Sequence, residues 1–243
     1  RLSLPSGGAA WTDVGWAGAT SGEPCPEITL KDWLRAEIPE VATAAGEVRL
    51  CHNLDYATSG LIVAAKSPAA ASAVSGAFER REAEKLYCAL IFGQPEWDRR
   101  SVTAPIMVSG KKFKQRVGKG GKSARTIAEV ACRGRLTLPP YRGRLATLVW
   151  LRPYTGRRHQ LRLHMAHIGH PIVGDFTYAG DKRTYRMFLH AASLTLPLAE
   201  LRPRPLRMES PLCPLGWLNA FEPAEPLRTP EDDPEAMRLV QWS

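Results

Sequence analysis

The residues best placed to do chemistry lie in two segments about a hundred positions apart. The first is His52-Asn53-Leu54-Asp55, followed by Thr58-Ser59-Gly60. It is a polar, turn-forming stretch between two apolar runs, so the Asp55 carboxylate is expected to project into a cleft as an acid, base or nucleophile. The competing expectation is an aspartate that only hydrogen-bonds the backbone of its own turn, with Thr58 and Ser59 as turn formers. The second segment is Thr155-Gly156-Arg157-Arg158-His159-Gln160-Leu161-Arg162. It reads as the start of a helix over 155–169, with Thr155 as N-cap and a stop at Gly169 and Pro171. On that reading Arg157 and Arg158 sit in the first turn, where the free N–H groups and the dipole favour an anion such as phosphate. Arg162 then lies on the flank of the Leu161, Met165 and Ile168 face, able to bury its stem and offer its guanidinium to an acid.

Lesser signals surround these. Tyr87 opens a strand in Lys85-Leu86-Tyr87 and offers either core area or a stacking face for a base. The stretch 110–125 carries seven basic residues and no acid. It reads as a mobile basic loop in which Lys111, Lys112 and Lys114 track a phosphate backbone and Phe113 can stack. His159, His164, His167 and His170 crowd one region, but no acid or Cys lies among them, which disfavours a metal site.

The elements that must position these residues follow from pattern. A helix is expected over 28–38 with Thr29 as N-cap, and another over 68–82 with Pro68 near its start. Strands are expected at 48–51, 61–65, 86–92, 126–132, 145–152 and 187–196, with 133–144 connecting two of them. Residues 1–27, rich in Gly, Ala, Ser and Pro, read as loop held by Trp11 and Trp16. The Pro-rich segment 200–236 turns acidic at its end and is expected to wrap the surface or stay partly disordered.

At 243 residues, 44% hydrophobic and 23% charged, the composition is that of a globular chain able to bury a core without staples. The net charge of +9 favours a polyanionic partner. No run of about 18 apolar residues exists, so no membrane helix is expected. Five widely spaced cysteines without a Cys-x-x-Cys pair argue against a disulfide framework or a cysteine zinc site. They fit a reducing, intracellular and most simply cytoplasmic setting.

Taken together, these segments resemble the RluA-type pseudouridine synthases over roughly residues 46–200. HNLDYATSG (52–60) resembles the family's His-Arg-Leu-Asp-x-x-Thr-Ser-Gly motif, and KLY (85–87) its Lys-x-Tyr strand. GKSART (121–126) is similar to the segment opening the next strand. RPYTGRRHQLRLHMAHIGHPIVGDFTY (152–178) is similar to its Thr-Gly-Arg-x-His-Gln-Leu-Arg motif and the Gly-His-Pro-Ile-x-Gly-Asp that follows, and FLHAASL (188–194) to its closing strand. Asn53 stands where the family has an Arg that fills the space left by the flipped uridine; it is shorter and uncharged. The family's opening Lys-Pro strand is not legible in residues 1–30, which makes the chain more similar to eukaryotic RluA-like proteins than to the bacterial enzymes.

The resemblance implies an α/β (α+β) domain of the pseudouridine synthase fold: a mixed, largely antiparallel sheet with flanking helices and a central RNA-binding cleft. It implies an N-terminal extension over 1–45 packing on a catalytic domain at 46–200, then a C-terminal segment at 201–243. It implies an isomerase needing neither cofactor nor metal, acting as a monomer on uridines of rRNA, tRNA or mRNA. Asp55 would act at the ribose, Arg162 would pair with it, and Tyr87 would stack on the base. His52, Asn53, Thr58, Arg157, Arg158 and His159 would contact the RNA, with Lys111, Lys112 and Lys114 on its backbone. Two other readings differ in class: an RNA-binding protein on this fold without catalysis, and a metal-dependent nuclease using the histidines with Asp175 and Asp181.

Overall fold

The computed structural model describes residues 29–44, 47–108, 114–184, 186–210 and 219–228. Contacts divide the chain into two units, Arg1–Val48 and Arg49–Ser243. Trp11 and Trp16 of the expected N-terminal loop, the acidic stretch beyond 228, and Lys111, Lys112 and Phe113 of the basic segment lie outside the described residues.

In the first unit, helix α1 spans Leu30–Glu37. Its start is fixed as the sequence suggests. Thr29 accepts the Asp32 N–H while the Asp32 carboxylate accepts the Thr29 N–H, a reciprocal cap that satisfies two helix-end donors. A 3-10 turn at Pro39–Val41 and an antiparallel bridge between Ala42 and Val48 complete the described part.

The second unit is built on one sheet. Its strands in chain order are β1 (Ser59–Gly60), β2 (Glu84–Phe92), β3 (Arg99–Val102), β6 (Thr126–Leu136), β7 (Leu145–Pro153), β8 (Leu189–Leu196), β9 (Leu206–Glu209) and β10 (Phe221–Pro223). The remaining two, β4 (Ile106–Val108) and β5 (Gln115–Val117), pair as a separate hairpin. The helices are α2 (Pro68–Glu79), α3 (Gln160–His167) and α4 (Phe176–Ala179). The sheet runs β1-β8-β2-β7-β6-β10, with β3 also on β6 and β9 also on β8. Every pairing is antiparallel except β1 with β8. This is the mixed, largely antiparallel sheet that the sequence resemblance implies.

Strand β2 explains the layering. Residues Cys88 to Phe92 are all buried, because both faces of this central strand are covered. Cys88, Leu90 and Phe92 join Trp150 and Phe188 on one face, while Ala89 and Ile91 meet Leu161 and Met165 of α3 on the other. Tyr87 packs against this second cluster, so β2 leads from the α3-side core out toward the cleft.

Several expectations are corrected. The runs 48–51 and 61–65 form no ladder of their own. A single bridge joins Leu50 to Ala64, flanked by Cys51 N–H to Val63 O and Ala65 N–H to Arg49 O. The strand of that region is instead Ser59–Gly60, beside His190 and Ala191 of β8. Gly60 makes this possible: its φ is +108°, and a Cβ there would fall 2.2 Å from Ala191 O. β6 runs on to Leu136, shortening its connection to β7. The basic segment is no simple loop, since Gln115–Val117 is a strand. The described parts of the segment beyond 200 supply β9 and β10 to the sheet.

The largest correction concerns α3. It begins at Gln160, not Thr155, because His159 takes a left-handed backbone (φ +56°) that no helix can include. Arg157 and Arg158 therefore precede the helix and are not first-turn residues. Thr155 caps nothing and serves a side-chain network described below. Nor is α3 amphipathic: Gln160 through Met165 are all buried.

Candidate active site

A cleft of about 480 Å³ opens in the second unit. The 51–58 turn forms one wall, the 155–161 loop another, and β2 the floor through Lys85 and Tyr87. The two segments with chemical potential thus face each other.

Asp55 sits on the turn, where its carbonyl accepts the Thr58 N–H at 2.9 Å and Ala57 takes a left-handed φ of +65°. Its carboxylate makes no hydrogen bond to its own turn among the described residues. It lies instead 3.6 Å from Nη1 of Arg162, with a quarter of its side chain exposed. Arg162 is itself nearly buried and is held elsewhere. Its Nε and Nη2 donate at 2.8 Å each to the two oxygens of Asp175, whose side chain is 1% exposed. This forked pair fixes the guanidinium plane and leaves its third nitrogen toward Asp55. Asp175 in turn caps α4, accepting the Thr177 and Tyr178 N–H groups. Burial works against the charge of Arg162, but the hydrogen bonds and charge of Asp175, joined by Asp55, outweigh it and hold its pKa above the ordinary arginine value.

Tyr87 lies partly buried on the cleft floor. Burial, with the Asp55 charge adding to it, pushes its phenol up to about 12, so the hydroxyl stays protonated. His159 reaches Tyr178 through Nδ1 and the phenol oxygen at 2.7 Å, and burial lowers its pKa against the pull of Asp55. Tyr178 joins several parts: its ring lies under Arg162, 5.1 Å from the guanidinium carbon, and its oxygen accepts the Gln115 N–H that starts β5. The hairpin thereby hangs from the same side chain that holds His159.

His52 points Nε2 at Leu61 O (3.3 Å) and packs its ring 5.1 Å from Phe78. Burial lowers its pKa, so the neutral ring carries its proton on Nε2 and leaves Nδ1 as an acceptor. That Nδ1 and the Thr58 hydroxyl are buried without a hydrogen-bond partner among the described residues. Asn53 is exposed at the cleft wall. Arg157 donates from Nε to Ser123 O at 3.0 Å, and Arg158 is exposed beside it. Lys114 is exposed ahead of β5 and does not line the cleft.

Two hydrogen-bond networks hold the walls. Under the 155–161 loop, Gln160 uses its whole amide. Oε1 accepts Thr155 Oγ1–H at 2.6 Å and the Arg157 N–H at 3.1 Å. Nε2 donates to Arg125 O and Thr126 Oγ1. Thr126 passes its own proton to His164 Nδ1, and His164 Nε2–H ends on Ala104 O. Under the Asp55 turn, Arg186 Nη2 donates to Ser59 Oγ at 2.6 Å, Ser59 meets His190 Nδ1 at 2.8 Å, and His190 Nε2 meets Ser210 at 3.0 Å. The donor order that satisfies this chain sends the Ser59 proton to His190.

The four histidines do not converge. His159 serves Tyr178, His164 the Thr126 network and His170 Phe92 O, while His167 is exposed. Asp175 belongs to Arg162, and Asp181 accepts Tyr141 O–H and the Gly174 N–H. No group of three His, Cys, Asp or Glu comes together among the described residues, so the nuclease reading finds no ligand set there.

The sequence offers Asp175 only as a possible metal ligand and Gln160 and Tyr178 only as members of motifs, so the roles these three take here are what a reading of it misses. The 13-residue spacing from Arg162 to Asp175 carries no periodic signal, because a turn of chain separates α3 from α4. A glutamine or tyrosine at an element's edge is ordinary in composition.

A family model for RNA pseudouridylate synthase matches residues 24–167. The chain belongs to that family. RNA pseudouridylate synthase domain-containing protein 1 of Danio rerio is 36% identical over 185 residues, covering 70% of this chain and 60% of that protein. The dual-specificity RNA pseudouridine synthase RluA of Escherichia coli (strain K12) is 39% identical over 150 residues, covering 60% of this chain and 65% of that one. Among solved structures, human RNA Pseudouridylate Synthase Domain Containing 1 superposes with a TM-score of 0.73 at 30% identity, covering 88% of this chain and 86% of that one. The chain spans about 60% of the length of the first curated relatives it matches.

Proposed function

We propose that this chain is an RNA pseudouridine synthase and that residues 46–200 carry the activity. The reaction breaks the glycosidic bond between N1 of a uridine and its ribose, turns the base, and joins C5 to C1′. The C5 proton is lost and N1 gains one, so the composition is unchanged and no cofactor is required. The observation that carries the reading is Asp55 at the edge of a cleft of about 480 Å³, facing the third nitrogen of an arginine locked by Asp175. Either role open to this carboxylate at the ribose, nucleophile or base, needs an ionised oxygen not consumed by its own turn. A base inside a stacked helix is out of reach, so the uridine must be flipped into the cleft, where Tyr87 offers its ring. RNA is the partner. An intracellular setting is supported by the free thiols of Cys51 and Cys132. Among the described residues no helix is long and apolar enough to cross a membrane.

The test is incubation with uridine-containing RNA, with and without chelator, followed by digestion and chromatography of the nucleosides. The expected result is pseudouridine in both arms. Binding without isomerisation would overturn the enzymatic reading, and cleavage that stops on adding chelator would replace it with a nuclease.

A further inference from the structure

Lys85 occupies an unusual place. It precedes Tyr87 by two residues on β2, so both side chains leave the same face of the strand, about 7 Å apart. Both line the cleft. The Lys85 ammonium spans to the opposite loop, where a Cβ built on Gly156 would lie 3.9 Å from Nζ. It is half-buried, yet no carboxylate lies within ion-pair distance of it among the described residues. The one acid lining the same cleft among the described residues, Asp55, faces Arg162. Burial alone pulls its pKa down, with no acid opposing.

A cation taken out of water without a counter-ion is costly, and an apolar side chain at the same place would avoid that cost. Three other cations among the described residues line the cleft, Arg81, Arg157 and Arg158, against a single carboxylate, Asp55. The unsatisfied group is therefore a donor awaiting an anion, in a cleft whose proposed substrate carries only one kind of anion. The placement selects which one. Lys85 and Tyr87 share one strand face and one cleft of about 480 Å³, so an anion held by Lys85 belongs to the nucleotide whose base stacks on Tyr87. Thr58, whose buried hydroxyl lacks a partner among the described residues, lines the same cleft and can add a second donor.

We propose that Lys85 forms the seat for the phosphate of the flipped nucleotide itself, distinct from the basic hairpin that would follow the RNA backbone outside. This rests on the pseudouridine synthase reading for the identity of the nucleotide, though not for the site's need of an anion.

The experiment measures binding of uridine, uridine 5′- and 3′-monophosphate and inorganic phosphate to the full chain by calorimetry or NMR titration. Wild-type protein is compared with Lys85→Met and Lys85→Arg, and melting curves establish that each is folded. At least one monophosphate should bind the wild type about tenfold or more tightly than uridine, the range of one charge-assisted hydrogen bond. Lys85→Met should erase that preference and Lys85→Arg should keep it; if the Met variant does not fold, Lys85→Gln replaces it. Equal binding of uridine and both monophosphates by the wild type would overturn the proposal. So would a preference that survives in the Met or Gln variant, or inorganic phosphate binding as tightly as the monophosphates. Wild-type protein that makes no pseudouridine would sink the enzymatic reading, while these titrations would still decide the phosphate seat.

Discussion

Asp55 and Arg162 differ in what the fold asks of them, and substitutions should separate the two. Asp55 is partly exposed, makes one long ion pair and holds up nothing else. Asp55→Asn or Asp55→Ala should abolish isomerisation while RNA affinity stays within a few-fold, because affinity rests mainly on phosphates. Nucleoside analysis and filter binding on the same preparations check this, and an active Asp55→Asn would remove the carboxylate from the reaction. Arg162 is different. Its stronger partner is the buried Asp175, so Arg162→Met leaves a carboxylate stranded in the core. The expected loss is about 3–5 kcal/mol of stability, the usual result of breaking a buried pair from one side. Urea denaturation measures it, and an unchanged midpoint would show that Asp175 is not a buried partner. Activity lost in Arg162→Met therefore reports on the fold as well as on Asp55.

At the scale of elements, the 155–161 loop and α3 stand on one continuous network from Thr155 to Ala104. His164 is its buried end, and burial lowers its pKa below the ordinary value of 6.5. The sign follows. Below about pH 6.5 the unfolded chain binds a proton that the folded His164 refuses, so stability is fully present above that value and falls as pH drops toward the folded pKa. His52 and His159, also lowered by burial, act in the same direction. The melting temperature should decline from pH 7 to pH 5.5, and His164→Leu should flatten that decline in part. It should also be less stable at neutral pH by about 1–3 kcal/mol, since Thr126 and Ala104 lose their partner. A decline as steep as that of the wild type would assign it to other groups.

The same elements show what the sequence made legible. Composition, turn residues and apolar runs located α1, α2, β2, β6, β7 and β8 because each carries its own local signal: the Thr29 cap, Pro68 at a helix start, Gly93 after a strand. They failed where the decision is tertiary. His159 leaves the helical region to meet Tyr178, a choice no propensity contains. β5 exists because Tyr178 anchors it and Gly121 lets the chain close on Ile106, not because lysines favour strands. At the site, the motif residues were legible as types. The Asp175 fork and the Gln160 network were not, because their partners are distant in sequence.

For the whole molecule, the net charge of +9 should make RNA binding steeply salt-dependent. Neutralising Lys111, Lys112 and Lys114 together should weaken binding to all RNAs about equally. It should also flatten the slope of log affinity against log salt by up to about two units, using the single-strand coefficient for three contacts. Fluorescence titrations at several salt concentrations read both. An unchanged slope would make these lysines solvated bystanders and leave the backbone contacts to Arg157 and Arg158.

The parallel pairing of Ser59 and Gly60 with His190 and Ala191 sets a schedule for the newly made chain. The turn that bears Asp55 is synthesised early, yet the strand it must lie against, and the hydroxyl–imidazole contact that anchors it, come 131 positions later. Both motifs can therefore be complete while the Asp55 carboxylate still has no fixed direction. Contacts of such long sequence separation form late and slowly. On the proposed function, a nascent chain should not act on RNA before its last central strand is in place. A chain ending at Gly180 should bind RNA weakly and produce no pseudouridine, and adding the missing segment as a separate peptide should restore some turnover. Activity in the shortened chain alone would show that the turn finds its direction without β8.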